Sequence, residues 1–247
     1  MKKIFLLFLA ILCMNAILRA DPVNLTSSQS FLTYITFNYN YTWDIYEIET
    51  KISRLQDIVK VKSLSFGLAG GITLYIHPPD NGFGYFPVDN LIGIFGAYMA
   101  YREKYPWHIT FFPVLHESAH LVDGYERGDI NLDTRRISHE SVGFEINYFL
   151  PDLVLSGGFF YYFHTSFRDL TFRTHVGEDL FFNLFSLKSL LSSDIALFSE
   201  NKVHTAFNLA WGFKFDTIEI FLYYENQKGL GQDFQVTHKR LGLKFLF

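Results

Sequence analysis

The feature that most constrains this chain is a two-residue alternation held over long segments. From Leu64 the even positions read Leu64, Phe66, Leu68, Gly70, Ile72, Leu74 and Ile76. The odd positions read Ser65, Gly67, Ala69, Gly71, Thr73, Tyr75 and His77. Successive side chains of a strand point to opposite faces, so this segment carries one apolar face and one small or polar face. Ile35, Phe37, Tyr39, Tyr41 and Trp43 alternate in the same way with Thr36, Asn38, Asn40 and Thr42. Phe207, Leu209, Trp211, Phe213 and Phe215 alternate with Asn208, Ala210, Gly212 and Lys214. Strands of water-soluble sheets usually run about 5–6 residues. The segments here reach the roughly 9–11 residues that a tilted strand needs to cross a bilayer.

Composition separates the remaining options. Aromatic residues make up 19 % of the 247, and charged residues also 19 %, below the roughly 25 % of soluble domains. Disorder is excluded, since it requires few aromatics and much charge. A mean hydropathy of +0.11, with no long apolar run after the first 20 residues, excludes a bundle of membrane helices. The expected fold is all-β: an antiparallel transmembrane β-barrel of about twelve strands, with ten as the alternative. Strands are expected near 31–43, 45–55, 62–77, 90–102, 107–121, 136–149, 153–165, 171–185, 193–200, 204–215, 217–226 and 235–247. A short helix over Ser186 to Ala196 is a competing reading of that stretch. Short links (102–106, 151–152, 216–217) and long ones (77–89, 122–135, 226–235) mostly fall on opposite ends, as barrels require. The chain closes on Leu241, Leu243, Phe245 and Phe247. Such an aromatic-ending strand resembles the signal by which barrel assembly machinery recognises its clients, which makes that machinery an expected partner.

Residues 1–20 form a segment apart. Lys2 and Lys3 precede an apolar stretch from Ile4 to Leu18, and Arg19 and Ala20 lead into Asp21 and Pro22. This is the pattern of a secretory signal, with cleavage expected after Ala20 and residues 21–247 left as the barrel. The expected location is the outer membrane, reached by the general secretory route. Losing Lys2, Lys3 and Arg19 takes the formal charge from −4 to −7. An acidic mature chain argues against nucleic acid as a partner. The only cysteine, Cys13, leaves with the signal, so the mature chain has no disulfide and no thiolate nucleophile or ligand. No cofactor is called for.

Residues 116–120 read His-Glu-Ser-Ala-His, a literal match to the zinc-hydrolase pattern. That chemistry needs a helix, on which His116 and His120 share one face as metal ligands while Glu117 activates water. The neighbourhood favours a strand instead. Phe111–Phe112 is β-favouring, Pro113 and Gly124 bracket the motif closely, and the preceding residues alternate. A zinc hydrolase therefore stays as a remote alternative.

On a strand, His116, Ser118 and His120 share a face. In the next strand Phe144, Ile146 and Tyr148 mark the apolar side. His139, Ser141, Gly143, Glu145 and Asn147 then take the lumen. Continuous alternation through residue 120 places His116, Ser118 and His120 in the lumen as well. The catalytic candidates are Ser118 as nucleophile, His116 or His120 as base, and Glu140 as the orienting carboxylate. The binding candidates are His139, Ser141, Glu145, Arg136, Ser138 and Asp123. The alternative is a hydrogen-bonded plug bracing the barrel interior.

The His116-x-Ser118 pair resembles the outer-membrane lipid A deacylases, which use Ser, His and Glu at a site facing the lipid. A broader resemblance covers roughly residues 62–247. Asp89-Asn90-Leu91 with Gly93, the run His116, Ser118, His120, Leu121 and Asp123, then Arg136, Ser138 and Glu140, and Gly231–Gln232 with Phe234 are similar to a family of bacterial outer-membrane barrels of unknown function. That family's signature runs H-x-S-S-H-L-G-D-E. Here Ala119, Val122 and Gly124 replace its second Ser, its Gly and its Glu. The resemblance implies a barrel in the outer membrane and no particular reaction.

The leading functional expectation is a non-enzymatic outer-membrane barrel, structural or a narrow solute channel. The alternative is a lipid- or ester-hydrolysing enzyme built on Ser118 with His116 or His120. Outer-membrane lipid, including lipid of the lipopolysaccharide type, is the expected surrounding partner.

Overall fold

The computed structural model describes residues 33–41, 45–76, 88–102, 106–121, 136–165, 171–184, 187–199, 203–214, 218–227 and 238–246. The expected signal, Asp123 and Phe247 lie outside these residues. The described residues form twelve strands. They are β1 (Tyr34–Asn40), β2 (Ile45–Val61), β3 (Leu64–Ile76), β4 (Val88–Arg102), β5 (Trp107–Leu121), β6 (Arg136–Leu150), β7 (Leu153–Thr165), β8 (Phe172–Leu184), β9 (Leu187–Ser199), β10 (Val203–Lys214), β11 (Glu219–Gln227) and β12 (His238–Leu246).

Each strand pairs antiparallel with its neighbours in the chain. The first and last strands close the sheet, with partners running from Tyr34↔Leu246 to Asn40↔Arg240. Closure leaves no sheet edge, the condition for a strand-built protein to cross lipid. The strand ends Ile76, Val88, Leu121, Arg136, Thr165, Phe172, Gln227 and His238 lie at one end of the barrel, and Val61, Leu64, Arg102, Trp107, Leu150, Leu153, Leu184 and Leu187 at the other.

The alternation of β3 is realised as read from the sequence. Ser65, Ala69, Thr73 and Tyr75 are buried, while Leu64, Phe66, Leu68 and Ile72 are exposed. An exposed apolar face on a closed barrel is its lipid-facing surface. Phe37, Phe95, Trp107, Phe144, Phe159, Leu180, Trp211 and Leu243 belong to it. The aromatic excess is thus largely surface. Among the described residues Tyr75, Tyr98, Phe112, Phe160, Tyr162, Phe221 and Tyr223 are buried instead.

Two expectations need correction. The stretch from Ser186 to Ala196 is not helical: β9 starts at Leu187 and pairs with both β8 and β10. Its Leu-Leu-Ser-Ser-Asp run has weak alternation, and hydrogen bonding from both sides imposes the strand. β2 also runs on to Val61, past the expected end at 55, with Ile58 as an extra residue between Asp57 and Val59.

Among the described residues the interior carries a packed cluster and a buried charge network. Ala69, Tyr75, Ile92, Ile94, Tyr98, Phe112, Leu115, Phe160 and Tyr162 pack together inside. Beside them Arg240, fully buried, holds three carboxylates. Its Nε lies 2.9 Å from Glu47, and its Nη1 lies 3.4 Å from Glu49 and 3.5 Å from Glu225. The Tyr34 hydroxyl donates to Glu49, and the Tyr223 hydroxyl donates to Asn38. Toward the short-link end, Asp57 accepts from Tyr98 and pairs with Arg102 at 3.3 Å. Buried charges are tolerated only when paired in this way.

A candidate catalytic site on the lipid face

β5 carries the residues on which any chemistry would rest, and Pro113 decides where they point. Proline cannot donate to a strand ladder, so within a sheet it is confined to edges and bulges. Here Phe112 pairs with Gly143 and Leu115 with Ser141, so Pro113 and Val114 together oppose the single residue Val142. The same irregularity shows against β4, where Val114 pairs with Ala97 and Phe111 with Met99. One extra residue reverses the parity of everything after it.

The consequence is a correction to the lumenal placement of the motif. Leu115 and Glu117, not His116 and Ser118, take the interior, and Glu117 is only 2 % exposed. His116 and Ser118 turn to the outer face. The His116 side chain is 42 % exposed, and its cross-strand partner on β4 is Phe95, one of the most exposed aromatics of the lipid surface. His120 follows on the same strand, paired with Arg136 on β6 and Leu91 on β4.

A second bulge brings in a residue that sequence reading missed. Glu140 pairs with His164 and Ser141 with Tyr162, so Phe163 is the extra residue on β7. A row therefore crosses three strands on the outside: His116 on β5, Glu140 on β6 and His164 on β7. Nδ1 of His116 lies 3.5 Å from Oε1 of Glu140, and Nδ1 of His164 lies 3.4 Å from Oε2. One carboxylate is thus shared by two imidazoles, one at each oxygen. Ser118 lies two residues beyond His116 on the same face, opposite Ser138 on β6 and Gly93 on β4.

Ser118, His116 and Glu140 are the residue types of a nucleophile–base–carboxylate set, and the His116–Glu140 pair is in place. A carboxylate at Nδ1 fixes the proton there and leaves Nε2 as the lone-pair nitrogen. Among the described residues the Ser118 hydroxyl has no hydrogen-bond partner, a looseness common before substrate arrives.

The other candidates fall elsewhere. His139, Ser141 and Glu145 are buried inside the barrel with Glu117, Arg173 and His175. The His139 ring packs against Tyr162 with centroids 5.6 Å apart, and Arg173 lies 4.8 Å over the Phe160 ring. The sheet wall thus separates them from His116, Ser118 and Glu140. The zinc reading fails on geometry: the motif lies on a strand. Four residues of strand set the Cα atoms of His116 and His120 about 13 Å apart, too far to share a metal as ligands one helical turn apart do.

No protein-family model matches the chain, and no curated protein does. Among solved structures, the outer membrane phospholipase A of Escherichia coli superposes with a TM-score of 0.64. That match has 10 % identity and covers 93 % of this chain and 95 % of that one. A calcium-bound dimer of the Salmonella typhi outer membrane phospholipase gives 0.64 at 10 % identity, covering 92 % and 94 %. The NanC porin gives 0.53 at 9 % identity, covering 87 % and 98 %. The fold is thereby set: the chain is a closed β-barrel of the kind found in outer-membrane proteins. Identities this low carry the fold and leave the chemistry to the residues of this chain.

Proposed function

We propose that this barrel hydrolyses acyl esters of membrane lipid at its outer surface, with Ser118 as nucleophile, His116 as base and Glu140 as the carboxylate that orients His116. The observation that carries the reading is the Pro113 bulge, which turns His116 and Ser118 out of the lumen and into line with Glu140. Lipid is the substrate class because the set lies on the apolar outer face, beside Phe95 and Phe163, where acyl chains are the solvent. The fold is shared with both a phospholipase and porins. The packed interior supports the first kind of role over a solute channel.

The proposed steps use these three residues in turn. Ser118 Oγ attacks the ester carbonyl carbon while its proton passes to His116 Nε2. Glu140 stabilises the imidazolium through Nδ1. The alcohol portion of the lipid leaves with that proton, and the acyl group stays on Ser118. Water, deprotonated by His116, then releases the fatty acid and restores the serine. The row lies toward the end bearing the long links, the external end by the usual rule for barrels. Both phospholipid and lipid of the lipopolysaccharide type are therefore within reach.

The test is mass spectrometry of envelope lipids from cells expressing the wild type or Ser118→Ala. Lysophospholipid or under-acylated lipid A that rises only with the wild type is expected, and which of the two rises names the source. Identical lipid profiles would remove the proposal.

A further inference from the structure

The inward glycines of this barrel are dictated by packing. A Cβ at Gly67 would come within 2.0 Å of the Gln56 carbonyl, and at Gly143 within 2.3 Å of the Phe160 ring. Two outward glycines are different. At Gly70 the nearest atom to an added Cβ is the Ile94 carbonyl at 3.9 Å. At Gly93 it is Ser118 Oγ at 3.6 Å, followed by the Ser118 carbonyl at 4.0 Å. Both positions have room for a side chain, and a lipid-facing position ordinarily carries an apolar one. The fold does not require glycine at either.

Their placement gives them a common purpose. Ser118 pairs with Gly93 and Gly93 with Ile72; His116 pairs with Phe95 and Phe95 with Gly70. Gly70 and Gly93 are therefore diagonal neighbours on the outer face, on adjacent strands. Ile72 and Phe95, 52 % and 62 % exposed, stand at the other two corners. The Phe95 ring does not fold over Gly70, since only the Ile94 carbonyl lies within 4 Å of its added Cβ. The result is a shallow depression that starts at the Ser118 hydroxyl, crosses β4 over Gly93 and continues onto β3 over Gly70. Its walls are hydrocarbon, its floor is backbone, and one end opens on the nucleophile.

We infer that this depression is the acyl-chain site of the hydrolase proposed above, selecting substrates by one linear acyl chain laid from Ser118 across Gly93 toward Gly70. Gly93 admits the ester to Ser118, and Gly70 accommodates the chain farther along. The proposal rests on the hydrolase reading and adds the substrate's chain length to it.

The two glycines predict separable effects. Purified barrels in detergent micelles are assayed on p-nitrophenyl butyrate and p-nitrophenyl palmitate, with heat-modifiable migration on gels as the control for folding. Gly93→Leu is expected to abolish both activities, because its side chain covers Ser118. Gly70→Leu is expected to keep the butyrate rate within about twofold and to cut the palmitate rate at least tenfold, shifting the ratio toward short chains. Gly70→Ala, a single methyl group in open space, is expected to fall between. Wild-type activity with an unchanged butyrate-to-palmitate ratio in folded Gly70→Leu would overturn the acyl site and leave the hydrolase standing. A folded wild type inactive on both esters would overturn the hydrolase reading and the acyl site together.

Discussion

Glu140 is the residue on which the proposed chemistry turns, because each of its oxygens faces one imidazole. Replacing it by Gln keeps the shape and removes the charge that stabilises a protonated His116. In serine triads such a change costs orders of magnitude in kcat, so Glu140→Gln is expected to lower kcat at least 100-fold with KM little changed. His164 meets only the far oxygen of Glu140, so it acts as a positioning residue. His164→Ala is expected to lower kcat less than Glu140→Gln does, and His164→Gln, which can still donate to Oε2, to recover part of the loss. Steady-state kinetics on one ester measures all three variants. Equal losses in His164→Ala and Glu140→Gln would contradict this division of roles.

The bulge in β5 is a single-residue device with a large effect, and it is testable as an element. Cys13, in the expected signal, is the only native thiol, so single cysteines report without background. In bilayers, Ser118→Cys is expected to react with a lipid-soluble maleimide and Glu117→Cys to be protected. Pro113→Val, which lets the ladder run at the same length without an extra residue, is expected to restore unbroken alternation and reverse that pattern. Unaltered labelling in Pro113→Val would show that Pro113 does not set the facing. The same element marks the limit of what the sequence discloses. Where one face is apolar and the other polar, as in β3 and β10, the facing is legible at once, and β4 to β8 lie within two residues of their expected bounds. After Pro113 the two candidate faces are Leu115, Glu117, Ala119 and His116, Ser118, His120. The first mixes polarity and the second is polar throughout, so hydropathy sends the second to the lumen, against the observed facing. The physical signal was Pro113 itself, a residue that a membrane-crossing strand accommodates at a bulge. His164 was hidden for a related reason. It follows Phe163, and only an extra residue in β7 brings it beside Glu140. β9 was obscured by a run with no clear period, which its two neighbours then hold extended.

Across the whole molecule the barrel is braced from inside and keeps its candidate chemistry outside. Arg240 ties β12 to β2 and β11 through Glu47, Glu49 and Glu225, next to the seam where the sheet closes. Removing it takes the cationic partner from the buried Glu47 and Glu49 and the partly buried Glu225. Breaking a buried charge network costs about 3–5 kcal/mol, so Arg240→Ala is expected to lower the urea midpoint of the gel-shift unfolding transition clearly below wild type. An unchanged midpoint would mean that the network carries no stability. The same packing predicts that refolded wild type gives no stable single-channel conductance in planar bilayers. A reproducible open channel would contradict a filled lumen.

The account stands on a serine that faces lipid and is nucleophilic. The most direct measurement is treatment of the folded barrel in micelles with a long-chain alkyl fluorophosphonate, followed by peptide mapping of the adduct. The predicted result is one adduct, on Ser118, lost in Ser118→Ala and strongly slowed in His116→Ala. A folded protein that takes up no label, or carries it on another residue, would contradict the account.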